Sequence, residues 1–299
     1  MIVITGGSGF IGTHLCHRMS NDAFGYLNID LVPPRMPESE AAYVKGNIKN
    51  LKFVLGATRG AEMIYHLAAQ TSVQKSIKNP TLDFYSNAAG TLNLLEAARK
   101  NDIPKLVYAS SAAIYGVPQY SPVDEAHPKN PLAPYGNTKL IGDSFCEMYY
   151  KVYGIKTVRL RFFNVFGVGQ DPKSSYSGVI TKFAARINDN KNPVIFGDGS
   201  QTRDFVHVSD VVEAIVQSSK SPAAIGKAYN IGTGIETNLK GLAQTMIGLS
   251  GKKLDIDFKP GQAGDIPKSV AKIDAAKADF GFVPKTTLKM GLERLIDRG

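Results

Sequence analysis

The chain lacks most of the features that mark exported, metal-bound or membrane-embedded proteins. Its 299 residues include two cysteines, Cys16 and Cys146, which lie far apart and without metal-ligand spacing. A disulfide framework and a thiolate metal site are therefore excluded, and both residues are expected to be buried thiols in a reducing compartment. No apolar run approaches the ~20 residues needed to span a bilayer. Met1 leads directly into Ile2-Val3-Ile4, a strand pattern without the basic region, apolar stretch and cleavage site of a secretory signal. Repeats, low-complexity tracts and a long linker are also missing. The expectation is a cytoplasmic protein. Basic residues outnumber acidic ones, 35 to 26, for a net charge of +9, but they are scattered singly. A solvated surface that tolerates acidic small molecules fits this pattern better than a nucleic-acid face.

What is present is a rhythm. Short apolar runs alternate with helical patterns through the first half, which predicts an α/β fold with a doubly wound parallel sheet. Strands are expected at Ile2–Thr5, Tyr26–Ile29, Met63–His66, Lys105–Ala109 and Thr157–Phe162. Helices are expected at Phe10–Met19, Leu51–Leu55, Leu82–Lys100 and Tyr135–Tyr153. After Asn164 the rhythm weakens into glycine-interrupted shorter elements, and a smaller, discontinuous α/β domain is predicted there. The expected division assigns 1–165 plus about 196–222 to a nucleotide-binding domain and about 166–195 plus 223–299 to a substrate domain. Pro33-Pro34-Arg35-Met36-Pro37 reads as a rigid surface loop.

Gly6, Gly9 and Gly12 form G-x-x-G-x-x-G between a predicted strand and a predicted helix. Such a turn brings backbone N–H groups at a helix N-terminus against a pyrophosphate, where any side chain would intrude. The spacing alone is weak evidence in a chain with 29 glycines; the strand–turn–helix context strengthens it. Asp30 ends the second predicted strand, where a carboxylate accepts hydrogen bonds from an adenosine ribose and repels a 2′-phosphate. NAD is thus favoured over NADP, the alternative being a turn or capping aspartate. Arg35, which could admit NADP, is separated from the strand end by two prolines.

Tyr135 and Lys139 stand at i and i+4 on a helix that Pro134 is expected to begin. A free phenol titrates near 10, too high for a base at neutral pH. An ammonium nearby, together with an oxidised nicotinamide, would lower that value. Y-x-x-x-K is common by itself, and an exposed tyrosine beside a solvated lysine is its usual meaning. Ser111 adds weight: it ends a predicted strand on the ligand side of the sheet, placed to bond a reacting oxygen and relay its proton. An ordinary serine turn is the other reading.

With these motifs and others along its length, the chain resembles the extended short-chain dehydrogenases/reductases, most closely the nucleotide-sugar epimerases related to UDP-glucose 4-epimerase. The matching stretches include Thr5–Gly12, His66–Gln70, Asn87–Thr91, Ser110–Gly116, Pro134–Lys139, Arg161–Gly167, Gly197–Asp210 and Tyr229–Gly232. The resemblance implies a Rossmann-type sheet, NAD as cofactor, a UDP-sugar as substrate and a homodimer built on Leu82–Lys100 and Tyr135–Tyr153. It implies cofactor contacts from Gly6, Gly9, Phe10, Ile11 and Gly12, from Asp30, from Asn47 and Ile48 near the adenine, and from Leu67, Ala68 and Ala69. Asn87, Phe162, Tyr135 and Lys139 complete that set. On the substrate side it implies Ser111, Ala112 and Tyr135 at the sugar, Asn164 and Arg203 at the diphosphate, and Val179 and Phe183 beside the uracil. His66 and His207 lie in family stretches without metal partners and read as packing residues; no metal is expected.

Departures from the family pattern narrow the reaction. Related 4,6-dehydratases carry an Asp-Glu pair after the active-site hydroxyl, and related decarboxylases a glutamate at the second position; here stand Ala112 and Ala113. The implied activity is NAD-dependent 4-epimerisation of a UDP-hexose through a 4-keto intermediate, with a nucleotide-4-keto-sugar reductase or dehydrogenase as the alternative. Gln262, in the Gln262–Asp265 segment, stands where an arginine often grips the diphosphate. Ser269 occupies a position where a bulky tyrosine would exclude N-acetyl groups, so N-acetylhexosamines are permitted, unless the serine is a mere strand residue. Asp171–Gly178 resembles the corresponding loop of epimerases that accept both sugar types.

Overall fold

Apolar β-branched runs too short for helices must be buried on both faces to be stable as strands, and this favours a parallel sheet sandwiched by helices. The computed structural model has that arrangement; it describes residues 1–20, 25–34, 43–171, 178–261 and 266–296. The first half runs β1 (Ile2–Thr5), α1 (Phe10–Ser20), β2 (Tyr26–Asp30), β3 (Tyr43–Lys45), α2 (Leu51–Ala57), β4 (Met63–His66), α3 (Val73–Lys78), α4 (Pro80–Phe84) and α5 (Gly90–Lys100). Then come β5 (Lys105–Ser111), α6 (Pro134–Tyr153) and β6 (Lys156–Phe162). The expected helix Leu82–Lys100 is therefore α4 and α5 joined by a π-helical turn, Tyr85–Ala89. An inserted residue of this kind re-aims side chains and recurs at functional sites.

The second half contributes β7 (Asn164–Phe166), α7 (Val179–Asn188), β8 (Val194–Phe196), β9 (Thr202–Arg203), β10 (Phe205–His207), α8 (Val208–Lys220) and β11 (Ala228–Ile231). It ends with β12 (Thr237–Asn238), α9 (Leu239–Ser250), β13 (Asp257–Lys259), β14 (Lys268–Ser269), α10 (Asp274–Phe280) and α11 (Leu288–Leu292). The seven-stranded sheet has the order β11-β6-β5-β4-β1-β2-β3, and every pairing in it is parallel. Its last strand departs from the expected division of the chain. β11 hydrogen-bonds along β6, so residues 223–299 do not stand wholly apart from the nucleotide-binding sheet. A four-residue strand between a 3₁₀ turn and a loop carries too short a pattern to reveal its partner.

One face of the sheet packs on α1 and α8 through residues such as Leu15, Leu160 and Val211, and the other on α2, α5 and α6 through Val54, Leu94 and Cys146. A separate core unites α7, α9 and α11 around Phe183, Leu242 and Leu292. Cys16 and Cys146 are buried and unbridged. Burial pushes the Cys16 thiol up to about 12, as expected of inert packing thiols.

The helix that carries Tyr135 and Lys139 is locked to the sheet by charge as well as packing. Arg161 on β6 pairs with Asp143 on α6 at 2.7 Å, both side chains almost fully buried. The guanidinium also donates to Tyr115 Oη at 2.9 Å and Glu125 O at 3.0 Å. Removing one member of such a pair leaves a charge desolvated without compensation. Arg161→Ala should therefore cost about 3–5 kcal/mol, read as a lower urea midpoint; an unchanged midpoint would contradict this role.

Candidate active site

In a parallel sheet of this order the chain leaves β1 toward β2 and β3, then crosses back to place β4 on the other side of β1. The two connections diverge at the carboxyl ends of these strands and leave a crevice between them. The crevice has a volume of about 820 Å³, within the usual range for a cofactor site.

Its floor is the glycine turn. Gly6 has φ +77° and donates to Ile29 O at 2.9 Å, while Gly9 N–H returns to Gly6 O at 3.1 Å. A Cβ on Gly6 would stand 2.5 Å from the backbone nitrogen of Ala68, and one on Gly12 would stand 2.1 Å from Gly6 O. The turn is packed to the limit of what hydrogen atoms allow, and the N-terminus of α1 opens above it. Gly9, Phe10, Ile11 and Gly12 all line the crevice.

Asp30 lies at the rim. Its Oδ2 accepts Ser8 N–H at 3.0 Å, and its Oδ1 accepts Leu31 N–H at 2.6 Å and Val32 N–H at 3.3 Å. The carboxylate thus organises both turns, as the turn-aspartate reading has it, and it also lines the crevice. Asn47 and Ile48, then Leu67, Ala68 and Ala69, and Phe162 also line it. Asn87 does not. Its side chain is buried and tied to Gln70, accepting the Gln70 N–H at 2.8 Å and donating to Gln70 O at 2.9 Å. The π-turn points it into the protein, where it braces the wall.

His66 is a hydrogen-bonded bridge as well as a packing residue. Nδ1 meets Thr5 Oγ1 and Nε2 meets Thr91 Oγ1, each at 2.9 Å. Since the Thr91 hydroxyl donates to Asn87 O at 2.5 Å, Nε2 is the protonated nitrogen. Burial, and then the Lys139 charge, pull its pKa down to about 3, so it is neutral and joins β1, β4 and α5. His207 caps α8, accepting Ser209 N–H. Among the described residues no cluster has the makings of a metal site.

Ser111, Tyr135 and Lys139 line the same crevice. Ser111 ends β5 and accepts Ala113 N–H at 3.2 Å as the cap of a 3₁₀ turn, Ala112–Ile114. Pro134 starts α6 in the first turn. Gly136 lets that turn approach: a Cβ there would lie 2.6 Å from Ala113 O. The Tyr135 phenol is consequently brought near the Ser111 hydroxyl.

The electrostatics depart from expectation. Burial pushes the Tyr135 phenol up, the nearby Ser111 hydroxyl opposes this, and the charge of Asp83 adds to it. Lys139 does not offset the burial. Its Nζ donates to Ala109 O at 2.8 Å and lies over the Tyr108 ring, 5.0 Å from the centroid. Burial lowers Lys139 to about 8, with Asp83 the first influence in the other direction. In the protein alone the phenol is thus held neutral, and the ammonium is held close to its titration point.

The residues expected at the sugar nucleotide are divided. Ser111 and Tyr135 face the crevice; Ala112, Asn164, Val179, Arg203 and Ser269 do not line it. Arg203 and Ser269 face each other across β9 and β14, and Asn164 N–H bonds Asp204 O at 3.1 Å next door. These three gather beside β9. Val179 begins α7. Phe183 is a correction: it is 1 % exposed within the α7–α9 core, where a ring cannot present a face to a base. Arg35, Pro172–Ser177, Gln262 and Asp265 lie outside the described residues. Gln70, Asp83 and Thr138, which hold the wall, were missed; an aspartate in a polar helix start carries no signal of burial.

A parallel sheet with a glycine cradle at its switch point and a Ser–Tyr–Lys set at the same end defines a Rossmann-type, dinucleotide-dependent α/β enzyme. The residues present fit such a cofactor, because Gly6 and Gly12 leave no room for a Cβ and the turn from Gly9 to Gly12 lines the crevice at the N-terminus of α1. Comparison with known proteins agrees: residues 2–232 match the model of the NAD dependent epimerase/dehydratase family. A putative UDP-glucose 4-epimerase of Methanocaldococcus jannaschii is 38 % identical over 306 residues, 99 % of this chain and 97 % of that protein. Among solved structures, the UDP-glucose 4-epimerase of Thermotoga maritima with UDP-glucose superimposes with a TM-score of 0.93 at 30 % identity, covering 98 % of this chain and 96 % of the other. The UDP-N-acetylglucosamine 4-epimerase of Methanobrevibacter ruminantium, in complex with UDP-N-acetylmuramic acid, gives the same TM-score at 29 % identity and the same coverages. The chain belongs to the NAD-dependent epimerase/dehydratase family, within the extended short-chain dehydrogenases/reductases.

The cradle yields a direct prediction. Gly12→Ala should weaken NAD binding by at least about ten-fold, the equivalent of roughly 1.4 kcal/mol, because the turn must open to admit the methyl group. Calorimetric titration of nucleotide-free protein with NAD would measure this; unchanged affinity would mean that the pyrophosphate binds elsewhere.

Proposed function

We propose that this chain interconverts the C4 epimers of a UDP-hexose, using NAD that is regenerated within each turnover. The observation that carries this reading is that Ser111, Tyr135 and Lys139 line the dinucleotide crevice together, with Ser111 followed at once by two methyl groups, Ala112 and Ala113. Elimination of water needs an additional acid and base beside the reacting hydroxyl, and alanine supplies neither. Reversible oxidation at one carbon needs only a proton carrier and a hydride carrier.

Bound NAD supplies the hydride acceptor and later the donor. The protein moves the proton. Tyr135, as phenolate, takes the proton of the C4 hydroxyl while Ser111 holds the oxygen. The Lys139 ammonium supplies positive charge near the phenolate and holds the nicotinamide ribose. After the 4-keto sugar turns over, Tyr135 returns its proton to the oxygen on the opposite face. Burial favours the neutral phenol, so the rate should rise with pH as the phenolate forms. The rise should level off near pH 8, where Lys139 begins to lose its proton and offsets the gain in phenolate, and the rate should fall only above the raised value of Tyr135.

The same reading assigns Gly6, Gly9, Gly12, Asp30 and the crevice lining to NAD, and Asn164, Arg203 and Ser269 to the sugar nucleotide. The seven-stranded sheet with its helices is then the cofactor domain, and the α7–α9–α11 core with its small sheets the substrate domain. Two chains would pair through α4–α5 and α6. Supporting this is an apolar face: Phe84, Tyr85, Val152 and Tyr153 are exposed on helices that pack side by side. Sedimentation should give twice the chain mass, and Val152→Glu should shift it toward the monomer. A cytoplasmic location is part of this reading, supported by the two unbridged thiols. Among the described residues no helix is long and apolar enough to cross a membrane.

NMR of the protein incubated separately with UDP-glucose, UDP-galactose and their N-acetyl counterparts tests the reaction. The 4-epimer should appear without added reductant, and Tyr135→Phe should slow it by about 10²–10⁴-fold. NADH accumulating from a single substrate would instead identify a dehydrogenase. Ser269 is small and half-buried, and on this reading a small side chain there admits an N-acetyl group, so Ser269→Tyr should abolish conversion of the N-acetyl sugars and spare the others.

A further inference from the structure

Asp83 is a carboxylate with 0 % exposure on α4. Three uncharged groups donate to it: Gln70 Nε2 at 2.6 Å, Asn87 Nδ2 at 3.2 Å and Thr138 Oγ1 at 2.6 Å. No lysine, arginine or histidine forms an ion pair with it among the described residues. A desolvated carboxylate held by neutral donors alone is costly, so its charge calls for a counterion at longer range.

The surrounding geometry supplies one. Thr138 lies between Tyr135 and Lys139 on α6, so the bond from Thr138 fixes the segment that carries both. The Lys139 ammonium is 3 % exposed and makes its hydrogen bond to a carbonyl, Ala109 O, leaving its charge unmatched at contact. Its other charged or titratable neighbours are Asp143, Cys146, the neutral His66 and Tyr108, whose ring it lies over and whose phenol burial keeps neutral. Asp143 is committed to Arg161 at 2.7 Å, and burial keeps Cys146 a neutral thiol. Asp83 is the remaining negative charge in this set.

We propose that Asp83 is a positioning residue for the reaction: through Thr138 it seats the Tyr135–Lys139 turn, and its buried negative charge is the counterion of the Lys139 ammonium. This rests on the roles given above to Tyr135 and Lys139. A negative charge raises the proton affinity of both groups: the Asp83 charge adds to the rise of Tyr135 and opposes the burial that lowers Lys139. Losing the charge should therefore move both in the same direction.

Asp83→Asn separates charge from hydrogen bonding. The amide oxygen can keep the Gln70 and Asn87 donors, and its NH₂ can donate to Thr138 Oγ1, whose hydroxyl already faces Tyr135 O at 3.1 Å. In the complete enzyme, both limbs of the kcat–pH profile should move to lower pH by about one unit, which is a loss of about ten-fold on the falling limb. Limbs that stay in place, whatever the height of the plateau, would overturn the electrostatic role. Thr138→Val should lower kcat without moving either limb and Thr138→Ser should restore it; a wild-type rate for Thr138→Val would remove the tether. Thermal unfolding supplies an arm that needs no substrate. Lys139→Met leaves Asp83 without its counterion, so adding Asp83→Asn to it should raise the melting temperature. Additive losses would overturn the pairing, while a raised value together with no epimerisation by the unaltered enzyme would keep the pairing and sink the proposed reaction.

Discussion

The site depends on one constraint: β1 must hydrogen-bond β2 on one side and β4 on the other, with all three strands parallel. Parallel neighbours cannot be joined by a tight hairpin, so the chain must leave the sheet and return across a face. The two departures go opposite ways, and the gap between them is the crevice. Because Gly6 N–H is spent on Ile29 O and Ala68 stands against Gly6 without room for a methyl group, the turn belongs to all three strands at once. Moving any one of them would close the cradle or open it too far.

Charge is the second theme. The Ser111, Tyr135 and Lys139 end of the crevice is walled by buried side chains, and burial alone works against chemistry there: it holds Tyr135 protonated and weakens the hold of Lys139 on its proton. The fold answers with fixed polar groups. Arg161 and Asp143 anchor α6 to β6, and the network of Gln70, Asn87, Thr138 and Asp83 braces the wall. Neutral donors around the buried Asp83 carboxylate satisfy its oxygens without cancelling its charge by an ion pair.

The sheet strands of the first half were readable because each is a short apolar run bounded by turn residues, and β1 and β4 have the expected limits. β3, with the intermediate-exposed-exposed pattern of Tyr43–Lys45, carries no such run, since an edge strand buries little. β9, β12 and β14 have two residues each, below the length at which any period exists. Phe183 matched a family position, yet its environment is core; an aromatic residue in an amphipathic helix has the same appearance in sequence whether its ring meets a base or a neighbouring leucine. Asn87 matched as well, but the π-turn rotates it away from the crevice, and local sequence does not announce a π-turn.

From its sequence alone this protein was committed to a strand–turn–helix cradle, to a Tyr and a Lys on one helical face, and to reaction chemistry without the acid–base pair of elimination. These follow from local rules: which residues tolerate a tight turn, which positions share a face of a helix, which side chains carry protons. The tertiary structure decided what those groups are worth. It brought Ser111 to Tyr135, aimed the Lys139 ammonium at Ala109 O and the Tyr108 ring, and buried Asp83 where a helix start would ordinarily be solvated. Proton affinities depend on desolvation and on charges brought close by folding, and neither quantity exists until the sheet, the π-turn and α6 have closed around the same few atoms.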